Sequence, residues 1–389
     1  MVYGGEGLAR AGGKVVLTPF VMPGETVQVE TVQESKNLVR AMPGEILKAA
    51  PERVEAPCPY FGGCGGCHYQ FAPYEMQTVW KRSILEEVLL RVGKLTALPE
   101  IGVVTGPSLG YRNRVRFHVA DQMLGFHMFA SHELCPVRHC LVAAEPINAA
   151  LTELRRMAHQ PRFPSFLEGI ELFTNGEQVQ INVARTAGPR VARGFFDWCV
   201  KQVPGAVMGV IEYPAAGFRF RVSGGSFFQV NRFLIDDLAA LALPDEGGSS
   251  ALDLYAGVGL FALPLAGLFA DVAAVESVTG AARDLRENAS RAGVRVRVAR
   301  GKAEAFLAEL ASRPDFVIAD PPRTGLGKKV TQELVRLSPP RLVIVSCDPA
   351  TLARDLNALT AGGYRLDSLT MVDLFPQTYH IEAVAKLSR

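Results

Sequence analysis

Residues 251–261, Ala251-Leu252-Asp253-Leu254-Tyr255-Ala256-Gly257-Val258-Gly259-Leu260-Phe261, are an apolar run that breaks into a glycine turn. This is the pattern of a parallel strand handing over to a helix. The glycines allow a tight turn and let the backbone approach a ligand at the helix N-terminus. Leu260–Leu263 supplies no third glycine, so the dinucleotide fingerprint is incomplete. Glu276 closes the next apolar run, 19 residues after Gly257. A carboxylate at that strand end can accept hydrogen bonds from both ribose hydroxyls of a nucleoside cofactor. An ordinary strand–helix turn with an exposed glutamate is the competing reading, and the spacing of Glu276 favours the cofactor loop.

Outward from this loop the chain alternates strand-like and helix-like segments. Strands are predicted at 251–255, 272–276, 294–298, 316–320, 342–346, 366–374 and 381–387. This is a doubly wound α/β pattern, in which ligands collect at the carboxyl ends of the strands. Asp320-Pro321-Pro322-Arg323 falls at one such end, where Asp320 can face a cofactor and a planar base. Cys347 falls at another, directly after Leu342–Ser346, where a thiol can serve as a nucleophile. Glu382 follows 35 residues later at the start of the last strand and is a candidate base. The glycine loop resembles the S-adenosylmethionine loop of class I methyltransferases. D-P-P segments occur in enzymes that methylate nucleobases, and those acting on exocyclic amines usually carry an aromatic residue next. Arg323 stands there instead.

The first 250 residues have a different texture. Positions 1–55 alternate in short runs, with turns at Gly12-Gly13 and Pro23-Gly24, and predict a small all-β, barrel-like module. A Pro/Cys/Gly knot carries Cys58, Cys64 and Cys67, and its glycines let the backbone wrap a bulky centre. Cys135 or Cys140 would complete four thiolates, a set that suits structural zinc or an iron–sulfur cluster alike. Cys199, beside Trp198, reads as a packed residue. A helix is predicted over 74–92, with Val79, Ile84, Val88 and Leu89 as its apolar row, and mostly strands and turns over 100–220. Arg112, Arg114 and Arg116 share one strand face that could grip phosphates, or could be a solvated face. Phe227-Phe228-Gln229 pairs aromatics with an amide, which suits stacking a base and reading its edge.

Bulk properties limit the alternatives. With 389 residues, two or three domains are expected. A hydrophobic fraction of 48% and a charged fraction of 21% predict a soluble chain. Net charge is only +2, so nucleic-acid contacts must be local patches. No apolar stretch is long enough to span a bilayer, no secretory signal is visible, and seven cysteines form a poor disulfide framework. A cytoplasmic monomer without membrane contact is the expectation.

Five segments together resemble the RNA uracil-5-methyltransferase family, of the RumA/TrmA type. They are Phe-Phe-Gln-Val-Asn at 227–231, Asp-Leu-Tyr-x-Gly-x-Gly at 253–259, Asp-Pro-Pro-Arg at 320–323, Ser-Cys-Asp-Pro-Ala-Thr-Leu-Ala-Arg-Asp at 346–355 and His-Ile-Glu at 380–382. They occur in the family's order, and the match covers nearly the whole chain. The resemblance implies three parts: a TRAM/OB-like β-barrel at 1–55, a central α+β iron–sulfur domain at 56–215, and a Rossmann-like class I methyltransferase domain at 216–389. Helix 74–92 could pack on that last domain. It also implies a [4Fe–4S] cluster on Cys58, Cys64 and Cys67, with Cys140 matched as fourth ligand by the phase of Val142, Ile147 and Leu151. S-adenosylmethionine would be held by Gln229, Tyr255, Gly257, Glu276 and Asp320. Cys347 would add to C6 of uracil and Glu382 would remove the C5 proton, with Phe227, Arg112 and Arg114 toward RNA. The barrel and cluster together favour 23S rRNA over tRNA as substrate. Two departures are the start at Met1-Val2-Tyr3, which predicts a shortened barrel, and Asp348, where asparagine is common. An amino methyltransferase would have no use for Cys347 and Glu382. A non-catalytic iron–sulfur RNA-binding protein would leave the cofactor loop unexplained.

Overall fold

The structure is a computed structural model and describes residues 1–389. Strands β1 (Glu6–Ala11), β2 (Lys14–Pro19), β3 (Thr26–Glu34) and β4 (Leu38–Lys48) form a sheet of order β1-β2-β4-β3. Its two edges, β1 and β3, do not pair, so the expected barrel is an open, four-stranded sheet. A five-stranded OB-type barrel needs one strand more. The cysteine knot follows as turns, tied to the central sheet by a bridge between Cys64 and Met128. Next come helix α1 (Tyr74–Arg91) and strand β5 (Ile101–Val104).

The central sheet has the order β11-β10-β9-β6-β7-β8. Its strands are β6 (Arg114–Ala120), β7 (Met123–His127), β8 (Leu134–Pro136), β9 (Leu167–Thr174), β10 (Val179–Thr186) and β11 (Ala206–Val207). Helices α2 (Glu145–Ala158) and α3 (Arg193–Gln202) pack on it, sharing one core with Phe117, Ile170 and Leu172. These helices are absent from the strand-and-turn expectation for 100–220. In α2 the buried Ile147, Leu151, Leu154 and Ala158 recur every three or four residues, which is the helical period. Cys199 is buried on α3 in the same core. A hairpin, β12 (Val210–Ala215) and β13 (Phe218–Ser223), leads into the last part.

That part alternates α4 (Ile235–Ala242), β14 (Gly248–Leu254), α5 (Ala262–Leu265), β15 (Phe269–Glu276), α6 (Thr279–Arg291), β16 (Arg297–Arg300), α7 (Ala303–Glu309), β17 (Phe316–Ala319), α8 (Gly327–Leu337), β18 (Arg341–Ser346), α9 (Pro349–Ala361), β19 (Arg365–Val372) and β20 (Glu382–Ser388). The sheet order is β16-β15-β14-β17-β18-β20-β19-β5, all parallel except β20. Neighbouring residues serve opposite faces: Val317 joins one core, while Phe316 and Ile318 join the other. A sheet covered on both faces requires such near-continuous apolar strands. Strand order reverses between β14 and β17, and a crevice opens at such a switch point.

Within the expected central span of 56–215, helix 74–92 packs on the last domain. Strand β5 extends this last sheet beside β19, and α1 buries Ile84, Leu85 and Leu89 in the same core as Leu352 and Met371 of the last part. Residues 74–104 are therefore built onto the C-terminal unit, not the central one. The buried face of α1 also differs from the expected row. It comprises Gln77, Lys81, Ile84, Leu85 and Leu89, while Val79 is 64% exposed. No helix is long and apolar enough to cross a membrane.

Candidate active site

Strand β14 ends at Leu254, and the chain turns sharply with φ values of 63° at Tyr255, 55° at Gly257 and 102° at Gly259. A non-glycine residue in that region is strained, and such strain collects at functional sites. The two glycines serve different ends. A side chain at Gly259 would come within 2.7 Å of Leu263, whereas one at Gly257 would meet nothing within 4 Å. Gly257 therefore faces open space. Glu276, at the end of β15, accepts from Gly257 N at 2.8 Å and Val278 N at 2.5 Å, bracing the loop with its carboxylate. Across the crevice Gln229 Nε2 donates to Asp320 Oδ2 at 3.0 Å. Burial pushes the Asp320 carboxyl up to about 7, against the opposing hydrogen bond from Gln229. The two aromatics of 227–228 part company: Phe228 is core, while Phe227 is 58% exposed beside Gln229, Tyr255 and Asp320.

Cys347 and Glu382 meet through strand register. Antiparallel β18 and β20 pair from Arg341↔Ser388 to Ser346↔Ala383, so the next position in the register sets Cys347 opposite Glu382. Opposed residues in such a ladder have Cα atoms about 4.5–5.5 Å apart. Parallel β17 lies on the other side of β18 and brings Asp320 to the same edge. Burial, then the carboxylates of Glu382 and Asp320, push the Cys347 thiol up to about 12, and Arg323 opposes them. Burial and Asp320 likewise raise Glu382 well above the usual carboxylate range, again against Arg323. The site thus holds a thiol and an unusually basic carboxyl, with one cation beside both.

Three contacts at this edge were not legible in the motifs. Asp348 caps α9, accepting from Ala350 N at 3.0 Å and Thr351 N at 2.9 Å, and Tyr3 donates its hydroxyl to Asp348 Oδ2 at 3.1 Å. Arg323 lies 3.3 Å from His380 Nε2, and burial followed by Arg323 pushes that imidazole down to about 3, so it is neutral. The third is a buried anchor on the loop before Glu382, formed by Lys81 and Gln77. His380 was visible beside Glu382, but Tyr3 is 345 residues from its partner and no local signal marks it.

Cys58, Cys64, Cys67 and Cys140 line one cavity of about 230 Å³, while Cys135 is not among its lining residues. No three His, Cys, Asp or Glu side chains converge tightly enough to hold a single metal ion. Burial pushes Cys64 up to about 12 and Cys67 up to about 11, so metal binding there would have to release protons. Arg112 and Arg114 are corrected by the fold. Both line this cavity. Arg112 donates to the Tyr111 hydroxyl, and Arg114 pairs with Glu171 at 3.0 Å and lies 4.2 Å over the Phe173 ring. Neither presents an open face to phosphate. Arg116, at 62% side-chain exposure, is the member of the row that reaches solvent. The strand period correctly put three arginines on one face, but that face is turned to the cysteines.

The strand order, the glycine turn and the acidic strand end define a class I methyltransferase domain. Residues 207–389 match the family model described as tRNA (Uracil-5-)-methyltransferase. An RNA methyltransferase of Aquifex aeolicus is 34% identical, with 100% of this chain and 96% of that protein covered. The 23S rRNA (uracil(1939)-C(5))-methyltransferase RlmD of Pseudomonas putida is 33% identical over 98% of this chain and 90% of its own. In fold, the chain is similar to the Pyrococcus abyssi tRNA (uracil-54, C5)-methyltransferase solved with S-adenosyl-L-homocysteine. That likeness has a TM-score of 0.78 at 24% identity, covering 99% of this chain and 98% of the other. This chain belongs to the RNA uracil-5-methyltransferase family.

Proposed function

We propose that this chain methylates C5 of a uridine in RNA, with Cys347 as nucleophile and Glu382 as base. The observation that carries this reading is the β18–β20 register, which opposes Cys347 and Glu382 at the sheet edge where the glycine loop ends. S-adenosylmethionine, when bound, supplies an electrophilic methyl group. The open space at Gly257 and the acceptor Glu276 fit its nucleoside end, while Gln229, Tyr255 and Asp320 line the adjoining crevice.

Uracil C5 is a weak nucleophile until C6 is substituted. Cys347 loses its proton to solvent, helped by Arg323, and its sulfur bonds to C6, moving ring electrons onto C5 and O4. C5 then takes the methyl group as the sulfonium carbon–sulfur bond breaks. Glu382 removes the C5 proton, and that electron pair reforms the C5–C6 double bond while the bond to Cys347 sulfur breaks. A carboxyl raised by burial is a strong enough base for this step. The uridine must leave its stack to reach the edge, and the exposed Phe227 is placed to stack on it.

Ribosomal RNA is favoured over tRNA because, at full-length coverage in both cases, the 23S rRNA enzyme is 33% identical and the tRNA enzyme 24%. Cys58, Cys64, Cys67 and Cys140 would hold a [4Fe–4S] cluster, which four thiols around a cavity larger than one ion would fit. It would cross-link the knot to the central sheet, and the scheme requires no electron from it. The test uses methyl-labelled S-adenosylmethionine and RNA from cells lacking the protein. Glu382→Gln should trap a covalent, labelled protein–RNA adduct, and Cys347→Ala should form none. If both variants turn over normally, the roles are wrong. Mapping the lost 5-methyluridine in rRNA and tRNA decides the substrate.

A further inference from the structure

Glu382 begins β20, and nine residues, 373–381, separate it from the end of β19. Adjacent antiparallel strands need only two to five residues to connect. This connection is also buried: Asp373, Leu374, Thr378 and Ile381 are each at most 1% exposed. A buried loop must find partners for its backbone polar groups, because an orphaned group is costly. Here many of the partners come from about 300 positions earlier in the chain. His68 N and Tyr69 N, directly after the cysteine knot, both donate to Gln377 O, at 2.7 and 3.1 Å. On α1, Gln77 Oε1 accepts from Gln377 N at 3.0 Å, and Gln77 Nε2 donates to Gln377 Oε1 at 3.0 Å. One turn on, Lys81 Nζ donates to Asp373 Oδ1 at 2.6 Å and to Phe375 O at 2.9 Å. The Lys81–Asp373 pair is wholly enclosed, both side chains at 0% exposure.

A buried ion pair contributes little net stability compared with apolar packing of the same volume, so stability alone is a poor reason for Lys81. What the pair and Gln77 do supply is a fixed path for the loop. Gln377 is held at φ 67°, a strained value for a residue with a side chain. The charges that act on Glu382 are Asp320 and Arg323, and no hydrogen bond fixes its carboxyl. Its position is therefore inherited from β20 and from the loop that delivers it.

We propose that Lys81 and Gln77 are positioning residues for Glu382, clamping loop 373–381 so that the base meets C5 of the substrate. The inference rests on the assignment of Glu382 as base. It makes a specific kinetic claim: loosening the clamp slows proton removal, which follows methyl transfer, and leaves attack by Cys347 intact. A displacement of about 1 Å at a reacting group can cost up to about a hundredfold in rate.

The experiment incubates Lys81→Met and Gln77→Met with methyl-labelled S-adenosylmethionine and RNA from cells lacking the protein. Labelled adduct is read on a denaturing gel, alongside turnover, RNA affinity and melting temperature. Both variants should lose turnover, by about tenfold or more for Lys81→Met and less for Gln77→Met, while labelled adduct accumulates and RNA affinity stays unchanged. Gln77→Met keeps the buried charges paired, so it decides the matter if Lys81→Met does not fold. Wild-type turnover with no extra adduct overturns the proposal. So does a loss of adduct that tracks RNA affinity and melting temperature, which would mark a purely structural role. If Glu382→Gln traps adduct and the clamp variants do not, this inference alone fails. If Glu382→Gln also traps none, the assignment of the base fails with it.

Discussion

Replacing Asp320 with Asn should make the protein more stable and less active above neutral pH. Burial raises the Asp320 carboxyl to about 7 in the folded chain, against about 4 in an unfolded one. The folded state therefore holds this proton more tightly than the unfolded state. Below about pH 4 both states are protonated and there is no penalty. From there to about pH 7 each pH unit costs the fold about 1.4 kcal/mol, and above it the full penalty, on the order of 4 kcal/mol, remains. Asn carries no charge to desolvate, and its amide oxygen can still accept from Gln229. The stability gap between variant and wild type should therefore widen by about 1.4 kcal/mol between pH 6 and pH 8. Urea unfolding of both proteins at these two pH values measures it. Glu382 and Asp253 are shifted upward by burial as well, so they too should weaken the wild type as pH rises above the ordinary carboxylate range. Methyl transfer should fall in the variant, because an amide cannot accept from the cofactor or base as a carboxylate does. A gap that stays constant from pH 6 to pH 8, or a variant less stable than wild type at pH 8, would refute the reasoning.

Three further outcomes are expected. Asp348→Ala removes the α9 cap and the Tyr3 contact, so it should cost about 1 kcal/mol in unfolding experiments. Adduct formation should also slow, since Cys347 is the adjoining residue. Arg114→Ala leaves Glu171 with the exposed Arg116 alone and uncovers Phe173, so it should lower the melting temperature without changing the salt dependence of RNA binding. A shallower salt slope would return Arg114 to the RNA face. With the proposed cluster on Cys58, Cys64, Cys67 and Cys140, chelation of its iron, or Cys67→Ser, should abolish the visible absorbance it would give and raise labelled adduct in turnover assays. The reason is that His68 and Tyr69, next to Cys67, hold Gln377; unchanged adduct would separate the knot from the base loop.

The sequence by itself determined the C-terminal architecture, because strand and helix periods are local and each predicted strand from 251 to 387 has a counterpart. It also singled out Cys347, Glu382, Glu276 and Asp320, because strand ends are where this architecture gathers chemistry. Helices α2 and α3 were missed although their apolar spacing was on display. What only the tertiary structure decided depends on pairs far apart in the chain. The arginine row was correctly phased, yet period says which residues share a face and nothing about what that face meets. Residues 74–104 follow the cysteine knot in sequence but close the edge of the last sheet, and Lys81 finds Asp373 across 292 positions. A lysine on the buried face of a helix looks like an error until the loop it holds is in place. Its partners, the Asp373 carboxylate and the Phe375 carbonyl, are brought to it only once the chain has folded.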